Sequence, residues 1–327
     1  MRVSFLIGGT EPAGLNQLYH LLKGHRDIVV PDSPQPEPNF FSKTLEYEKG
    51  AEYYHRRYFP HYEGDTCAGE KSGRYLWHPD TPKRIHTYNP AMKLIFILRD
   101  PVDRAYSNYR FNCLNGIETL NFANALEAET ARMAKMSDDA RWRDVQPFAY
   151  FDKGLYARQL ERYCAVFPAE NIYVMNNEAL RRDPHNQILA VVRFLGLRAE
   201  RYQRVDNAPE YPSFHVRSLV LQKTIRGLNR GFLERLLIKG RAGARPTLVE
   251  RLALLNLSHE RTHPHPKVAE AMRLRYEGDL LHLQRLVTFD ISGWAGQGSR
   301  REPLNVVPNV TEPRVRSAPA GRDADGR

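Results

Sequence analysis

The sequence predicts an α/β protein, a three-layer sandwich with a central parallel sheet, on three observations. Leu94 to Leu98 is an unbroken apolar run, as in a strand buried on both faces, and Asp100 and Pro101 directly after it read as an N-cap and a first helical residue. Val3 to Ile7 is a second such run, followed by the turn-rich loop Gly8 to Gly14 and the periodic segment Leu15, Leu18, Tyr19, Leu21, Leu22. Asn171 to Met175 is a third, with a helix from Pro184 to Leu195 behind it that closes at Gly196. Strand then helix, repeated, is the pattern of a sheet covered on both sides.

The remaining elements follow in order. Ile28 to Val30 reads as a short strand before the proline-broken segment 31–38. Residues 45–62 carry six tyrosines or phenylalanines among charges, the pattern of a helix with a buried aromatic face. Ala68 to Tyr75 (AGEKSGRY) reads as a loop, and Pro79 to Tyr88 as a helix. Phe122 to Met136 and Gly154 to Phe167 are amphipathic helices. Beyond Arg201 the chain turns basic and helical, with a last helix over Pro266 to Leu286 and an apolar cluster at Ile291 and Trp294. One domain over 1–294 is expected, followed by a disordered tail, 295–327, rich in Gly, Pro, Ser, Arg and Asp.

At 327 residues with 42% hydrophobic and 26% charged residues, the chain has the composition of a soluble globular protein, and no apolar run reaches transmembrane length. The net charge of +10 favours an anionic ligand or partner. Much of the excess falls between Leu219 and Arg245, a stretch that also suits a solvated helical face or a polyanion-binding surface. Cys67, Cys113 and Cys164 are scattered, which indicates neither a disulfide framework nor a cysteine-rich zinc site and points to a reducing, cytoplasmic setting.

Ligands of open α/β sheets gather beyond the carboxyl ends of the strands, where helix N-termini offer N–H groups to anions. Arg99 sits at that edge and Ser107 about two turns into the next helix, so the two are candidates for one phosphate; the other reading pairs Arg99 with Asp100 or Asp103. The Gly8 to Gly14 loop is placed to hold phosphate, but it lacks GxxxxGK[ST] and GxGxxG, which argues against a Walker-type NTPase or a dinucleotide enzyme. Glu70 beside Lys71 supplies a candidate general base and a candidate cation for a phosphate or sulfate. The aromatic residues between 40 and 62, with Trp77, either line an apolar acceptor pocket or belong to the core.

His259 to His263 matches the HExxH zinc-protease pattern. Two histidines four apart chelate zinc from one continuous helix, whereas Ser258 reads as an N-cap just before the motif and Pro264 and Pro266 break the chain just after it. No metal site is expected.

Taken together, these segments resemble the sulfotransferases that use 3'-phosphoadenosine 5'-phosphosulfate (PAPS), in particular bacterial proteins related to the heparan sulfate sulfotransferases, over about residues 3–294. RDPVDRAYSNY is similar to the family's 3'-phosphate site and would make Arg99 and Ser107 its ligands; GEKSGRYL is similar to the segment with the acceptor-activating glutamate, which would be Glu70, beside Lys71. GLYARQLERY, FPAENIYVMNNEALRRDP, FLGL and DISGW are supporting matches. The resemblance implies a P-loop-like sulfotransferase fold, PAPS as donor with adenosine 3',5'-bisphosphate as product, and a hydroxyl or amine of a carbohydrate, lipid or small metabolite as acceptor, with no metal and no nucleic-acid partner. The chain departs from the family in two places. Where the family reads like KxGTT, this loop reads TEPAGLNQL, with Glu11 or Pro12 near the lysine position; the family's KEPHFF appears as PEPNFF. Lys71 is then the candidate to replace the missing cation, with Gly14, Asn16 and the helix N-terminus as neutral donors to the 5'-phosphosulfate. The alternative is a degenerate fold that binds a nucleotide or sulfated ligand without transfer.

Overall fold

Five short segments pair side by side as one parallel sheet. In the computed structural model the described residues are 2–9, 14–31, 37–62, 64, 66–139, 143–206, 214–228, 248–258, 260 and 262–295. The strands are β1 (Phe5–Gly9), β2 (Ile28–Val29), β3 (Cys67–Lys71), β4 (Lys93–Leu98) and β5 (Ile172–Asn176), in the order β2-β3-β1-β4-β5. The chain leaves β1 to build one side of the sheet and crosses back to build the other, so the sheet changes direction at β1, where the crevice that binds ligands opens in such folds.

Alternate strand residues feed two apolar layers, the period of two that a covered sheet requires. Phe5, Ile7, Ile95, Ile97, Tyr173 and Met175 face helix α1 (Leu15–Leu22) and a later helix, Pro184–Phe194. Leu6, Leu94, Phe96, Leu98, Ile172 and Val174 face the opposite layer. That layer contains α2 (Thr44–Tyr47), α3 (Gly50–Tyr58), α4 (Thr81–Tyr88), α5 (Pro101–Leu114), α6 (Phe122–Glu127), α7 (Glu129–Ser137), α8 (Tyr156–Cys164) and the C-terminal helix Pro266–Leu283. The α/β three-layer architecture expected from the sequence is the architecture observed.

Several boundaries differ from expectation. Glu70 and Lys71 end a strand rather than occupy a loop: CAGEK pairs with β1 at Phe5↔Gly69, Leu6↔Glu70 and Ile7↔Lys71. The segment contains no β-branched or aromatic residue to announce a strand, and Gly69 is there because Phe5 crosses it: a Cβ on Gly69 would lie 2.4 Å from the Phe5 ring. The segment Phe122 to Met136 is two helices, α6 and α7, which meet at Ala128. The aromatic residues of 40–62 are core: Phe40, Phe41 and Tyr54 are fully buried, with Phe40 and Tyr54 stacked at 4.5 Å. The expected tail beyond residue 295 and the greater part of the basic stretch 219–245 lie outside the described residues.

Candidate functional site

Arg99 leaves the carboxyl end of β4, and α5 begins at once. Asp100 caps that helix through Oδ1, which accepts the N–H groups of Val102 (2.8 Å) and Asp103 (3.1 Å). Its other oxygen accepts Arg273 Nη1 at 2.8 Å, and the same Nη1 reaches the Trp294 carbonyl at 2.5 Å. With Asp100 engaged by its own helix and by Arg273, Arg99 turns to Ser107 and donates from Nη1 to Oγ at 2.9 Å. Two turns of helix therefore bring the two sequence candidates together, both half-buried. The Tyr156 hydroxyl holds the Arg99 carbonyl at 2.9 Å, so α8 also fixes this corner. A guanidinium and a hydroxyl beside a helix N-terminus are donors suited to a phosphate.

Glu70 and Lys71, adjacent in sequence, face opposite sides of β3. Glu70 is wholly buried and accepts three hydroxyls: Tyr75 (2.5 Å) and Tyr54 (3.2 Å) on Oε1, and Ser72 (3.0 Å) on Oε2. Burial pushes its carboxyl up to about 7; the hydroxyls of Tyr75, Ser72 and Tyr54 pull against that shift, and the nearby charge of Glu37 adds to it. Burial, with the Glu70 charge second, also holds the Tyr54 and Tyr75 hydroxyls far above their ordinary range, so both remain donors. Lys71 instead meets Glu37, donating from Nζ to Oε1 at 2.8 Å, and lies 5.6 Å from the centre of the Tyr19 ring. The second Glu37 oxygen accepts the Gly73 N–H at 3.0 Å. The side chains of Glu37 and Lys71 keep 26% and 17% of their exposure, whereas Glu70 keeps none.

Glu37 is thus the carboxylate at the crevice that sequence reasoning did not single out, although it stands in PEPNFF beside the lysine-to-proline change. The nearby backbone explains its placement. Asn39, at φ 47°, turns the chain, and its N–H donates to Ser72 Oγ at 2.9 Å, which ties the segment after Glu37 to the end of β3.

At the third corner, Gly14 precedes α1 with φ 87°, and among the described residues no side chain caps the helix N-terminus. A Cβ on Gly14 would fall 2.2 Å from Oδ1 of Asn177, a buried oxygen with no hydrogen-bond partner among the described residues. Asn177 stands just past β5, at the first position of the helix that follows. Asn16 is exposed on the first turn of α1, and residues 10–13, including Glu11 and Pro12, lie outside the described residues, as does Pro36.

Of the HExxH motif, His259 and Arg261 lie outside the described residues, and Glu260, Thr262 and His263 fall in non-helical chain between the short strand Leu257–Ser258 and the Pro266 helix. Among the described residues no three His, Cys, Asp or Glu side chains gather as a metal site, no helix is long and apolar enough to cross a membrane, and the three cysteines are free.

The chain matches the family model described as "Sulfotransferase domain" over residues 4–220. It is 31% identical over 196 residues to human heparan sulfate glucosamine 3-O-sulfotransferase 6, an alignment covering 59% of this chain and 52% of that protein. It is 28% identical over 206 residues to mouse heparan sulfate glucosamine 3-O-sulfotransferase 5, covering 62% and 56%. The chain therefore spans about half the length of the curated relatives it matches. Among solved structures, a sulfotransferase from Alicyclobacillus acidocaldarius superposes with a TM-score of 0.64 at 24% identity, covering 90% of this chain and 99% of that one, a likeness of fold.

Proposed function

Because this chain belongs to the sulfotransferase domain family, we propose that it moves a sulfuryl group from PAPS to a hydroxyl or amine of a carbohydrate acceptor. The observation that carries the reading is the Arg99–Ser107 pair, 2.9 Å apart at the carboxyl end of β4, one strand away from β1 and two from the end of β3. Arg99 and Ser107 take the 3'-phosphate of the donor, while the uncapped N-terminus of α1, at Gly14 and Asn16, takes the 5'-phosphosulfate. The relatives are named for transfer to a glucosamine of heparan sulfate, which supports a sugar acceptor over a lipid or small metabolite.

Glu37 is the general base in this reading. Glu70, enclosed and bonded by three hydroxyls, supports the end of β3 instead. The Glu37 carboxylate accepts the acceptor's proton as the acceptor oxygen or nitrogen bonds to sulfur, and the bond from sulfur to the 5'-phosphate oxygen breaks, releasing adenosine 3',5'-bisphosphate. Lys71, paired with Ile7 across β1 and β3, ends the strand next to β1, whose following segment has no lysine in the sequence, and supplies positive charge to the leaving phosphate. The loop's lack of a lysine also favours a second reading, in which the chain binds nucleotide without transfer.

Calorimetric titration with adenosine 3',5'-bisphosphate tests the site. Micromolar binding is expected, weakened at least tenfold by Arg99→Ala; absence of binding, or equal binding by the variant, rejects the donor site. Transfer of labelled sulfate from PAPS to a glucosamine-containing oligosaccharide, lost in Glu37→Gln, separates the enzyme from the binding protein.

A further inference from the structure

A second polar cleft, of about 310 Å³, opens where the chain after β3 packs on α8, and it is lined by Trp77, Pro79, Asp152, Arg158 and Arg162. Arg158 and Arg162 are one helical turn apart and present two guanidinium groups to one space. The only lining carboxylate among the described residues is already occupied: Asp152 accepts Trp77 Nε1 at 2.6 Å on one oxygen and Arg158 Nη2 at 2.6 Å on the other. Arg162 gives Nη2 to the Trp77 carbonyl at 2.7 Å, while its Nε–H is buried and without a partner among the described residues. Lys153 lies 5.2 Å from the centre of the Trp77 ring, so three cations gather around one engaged acid, with Asp80 further out and paired to Arg84. Burial works against the charge of Arg162, and an anion held in the cleft between the two guanidinium groups would offset that cost.

We infer that this cleft is an anion subsite for the acceptor, which reads one carboxylate or sulfate group on a sugar, with Arg162 and Arg158 as donors and the indole as an apolar wall. The inference rests on the proposed transfer reading. The space suits one sugar ring rather than a polymer segment, being at the small end of ligand pockets. Its connection to the transfer site is short: Trp77 follows Lys71 by six residues, at most about 20 Å of extended chain. Turns closed by Tyr75 N–H to the Ser72 carbonyl and His78 N–H to the Arg74 carbonyl shorten that span, so an oligosaccharide of a few units bridges the two sites. The subsite would select acceptors that carry a negative group some units away from the sulfated position.

The test is calorimetric titration of the full chain with a sulfated, uronate-containing tetrasaccharide, with and without adenosine 3',5'-bisphosphate. Arg162→Met is expected to weaken binding of the sugar at least tenfold and the exposed Arg158→Ala at least threefold. Both arginine variants should bind adenosine 3',5'-bisphosphate like the parent, which certifies their folding. Carboxyl-reduced and desulfated tetrasaccharides identify the group: the form whose affinity no longer depends on Arg162 lacks the anion that is read. Equal sugar affinity in the parent and in both arginine variants overturns the subsite. Failure to bind adenosine 3',5'-bisphosphate, with the arginine-dependent sugar binding intact, rejects the donor reading and leaves the subsite standing.

Discussion

Replacing Glu70 by glutamine separates support from catalysis, because the structure fixes a sign and a size for its effect on stability. Unfolded, the carboxyl ionises near 4.5; folded, burial moves it to about 7 against the pull of three hydroxyls. Between those values the native chain holds a proton that the unfolded chain has released. The native state is therefore favoured fully below about 4.5, and that contribution is lost as pH rises through about 7. The interval, at 1.36 kcal/mol per pH unit, is worth about 3 kcal/mol. Glutamine keeps the shape and cannot ionise, so the stability of Glu70→Gln relative to the parent should rise by most of about 3 kcal/mol between pH 5 and pH 8. Urea unfolding across that range measures it. A difference that stays flat within about 0.5 kcal/mol, well inside what linear extrapolation resolves between variants, refutes the buried, proton-holding carboxyl. The same variant should keep kcat/KM within about tenfold, whereas Glu37→Gln should lose about 10²-fold or more, the usual contribution of a general base. The reverse order would return the base to Glu70.

Two further substitutions probe how the crevice is held. Gly14→Ala places a methyl 2.2 Å from Asn177 Oδ1 at a positive φ and should cost about 1–3 kcal/mol in thermal or urea unfolding; adding Asn177→Ala should recover part of that loss, and strict additivity of the two changes would show that the contact is not the cause. Asp100→Asn retains a cap for α5 but discharges the partner of Arg273, while Asp100→Ala removes both; the cap alone should account for about 0.5–2 kcal/mol of the difference between them. In both Asp100 variants the affinity for adenosine 3',5'-bisphosphate should fall, because Arg99 would gain freedom to leave Ser107, and an unchanged affinity would show that the cap does not position it.

The Arg99–Ser107 corner was legible in sequence because it is local. Strand, arginine, cap, proline and serine occupy fourteen consecutive positions, and the 3.6-residue helical repeat alone carries Ser107 round to Arg99. The Glu37–Lys71 corner was not legible, because its geometry depends on pairings across the sheet. Glu70 and Lys71 look equivalent as neighbours in a glycine-containing stretch, and only the register with Leu6 and Ile7 sends one into the core and the other to the crevice. Glu37 reaches Lys71 from 34 residues away, through a turn at Asn39 that no periodicity announces. The cleft at Arg162 was hidden for the same reason: helical spacing aligns Arg158 with Arg162, but nothing local says that Trp77 and Asp152 close the other side.

The altered first loop bears on how charge is distributed at the transfer site. Where the resembling family has a lysine after its first strand, this sequence offers Glu11 or Pro12, and in the proposed function the cation would instead be Lys71, one strand over at the end of β3. There it is neutralised by Glu37 at 2.8 Å, with Gly73 N–H on the other carboxylate oxygen. An ion pair with both partners partly exposed is weak enough to exchange, each member finding a stronger opposite in a bound ligand. Under the proposed transfer, an arriving phosphosulfate would draw Lys71 towards its negative charge and would leave Glu37 with an unshared oxygen for the acceptor's proton, so that donor binding would itself prepare the proposed base.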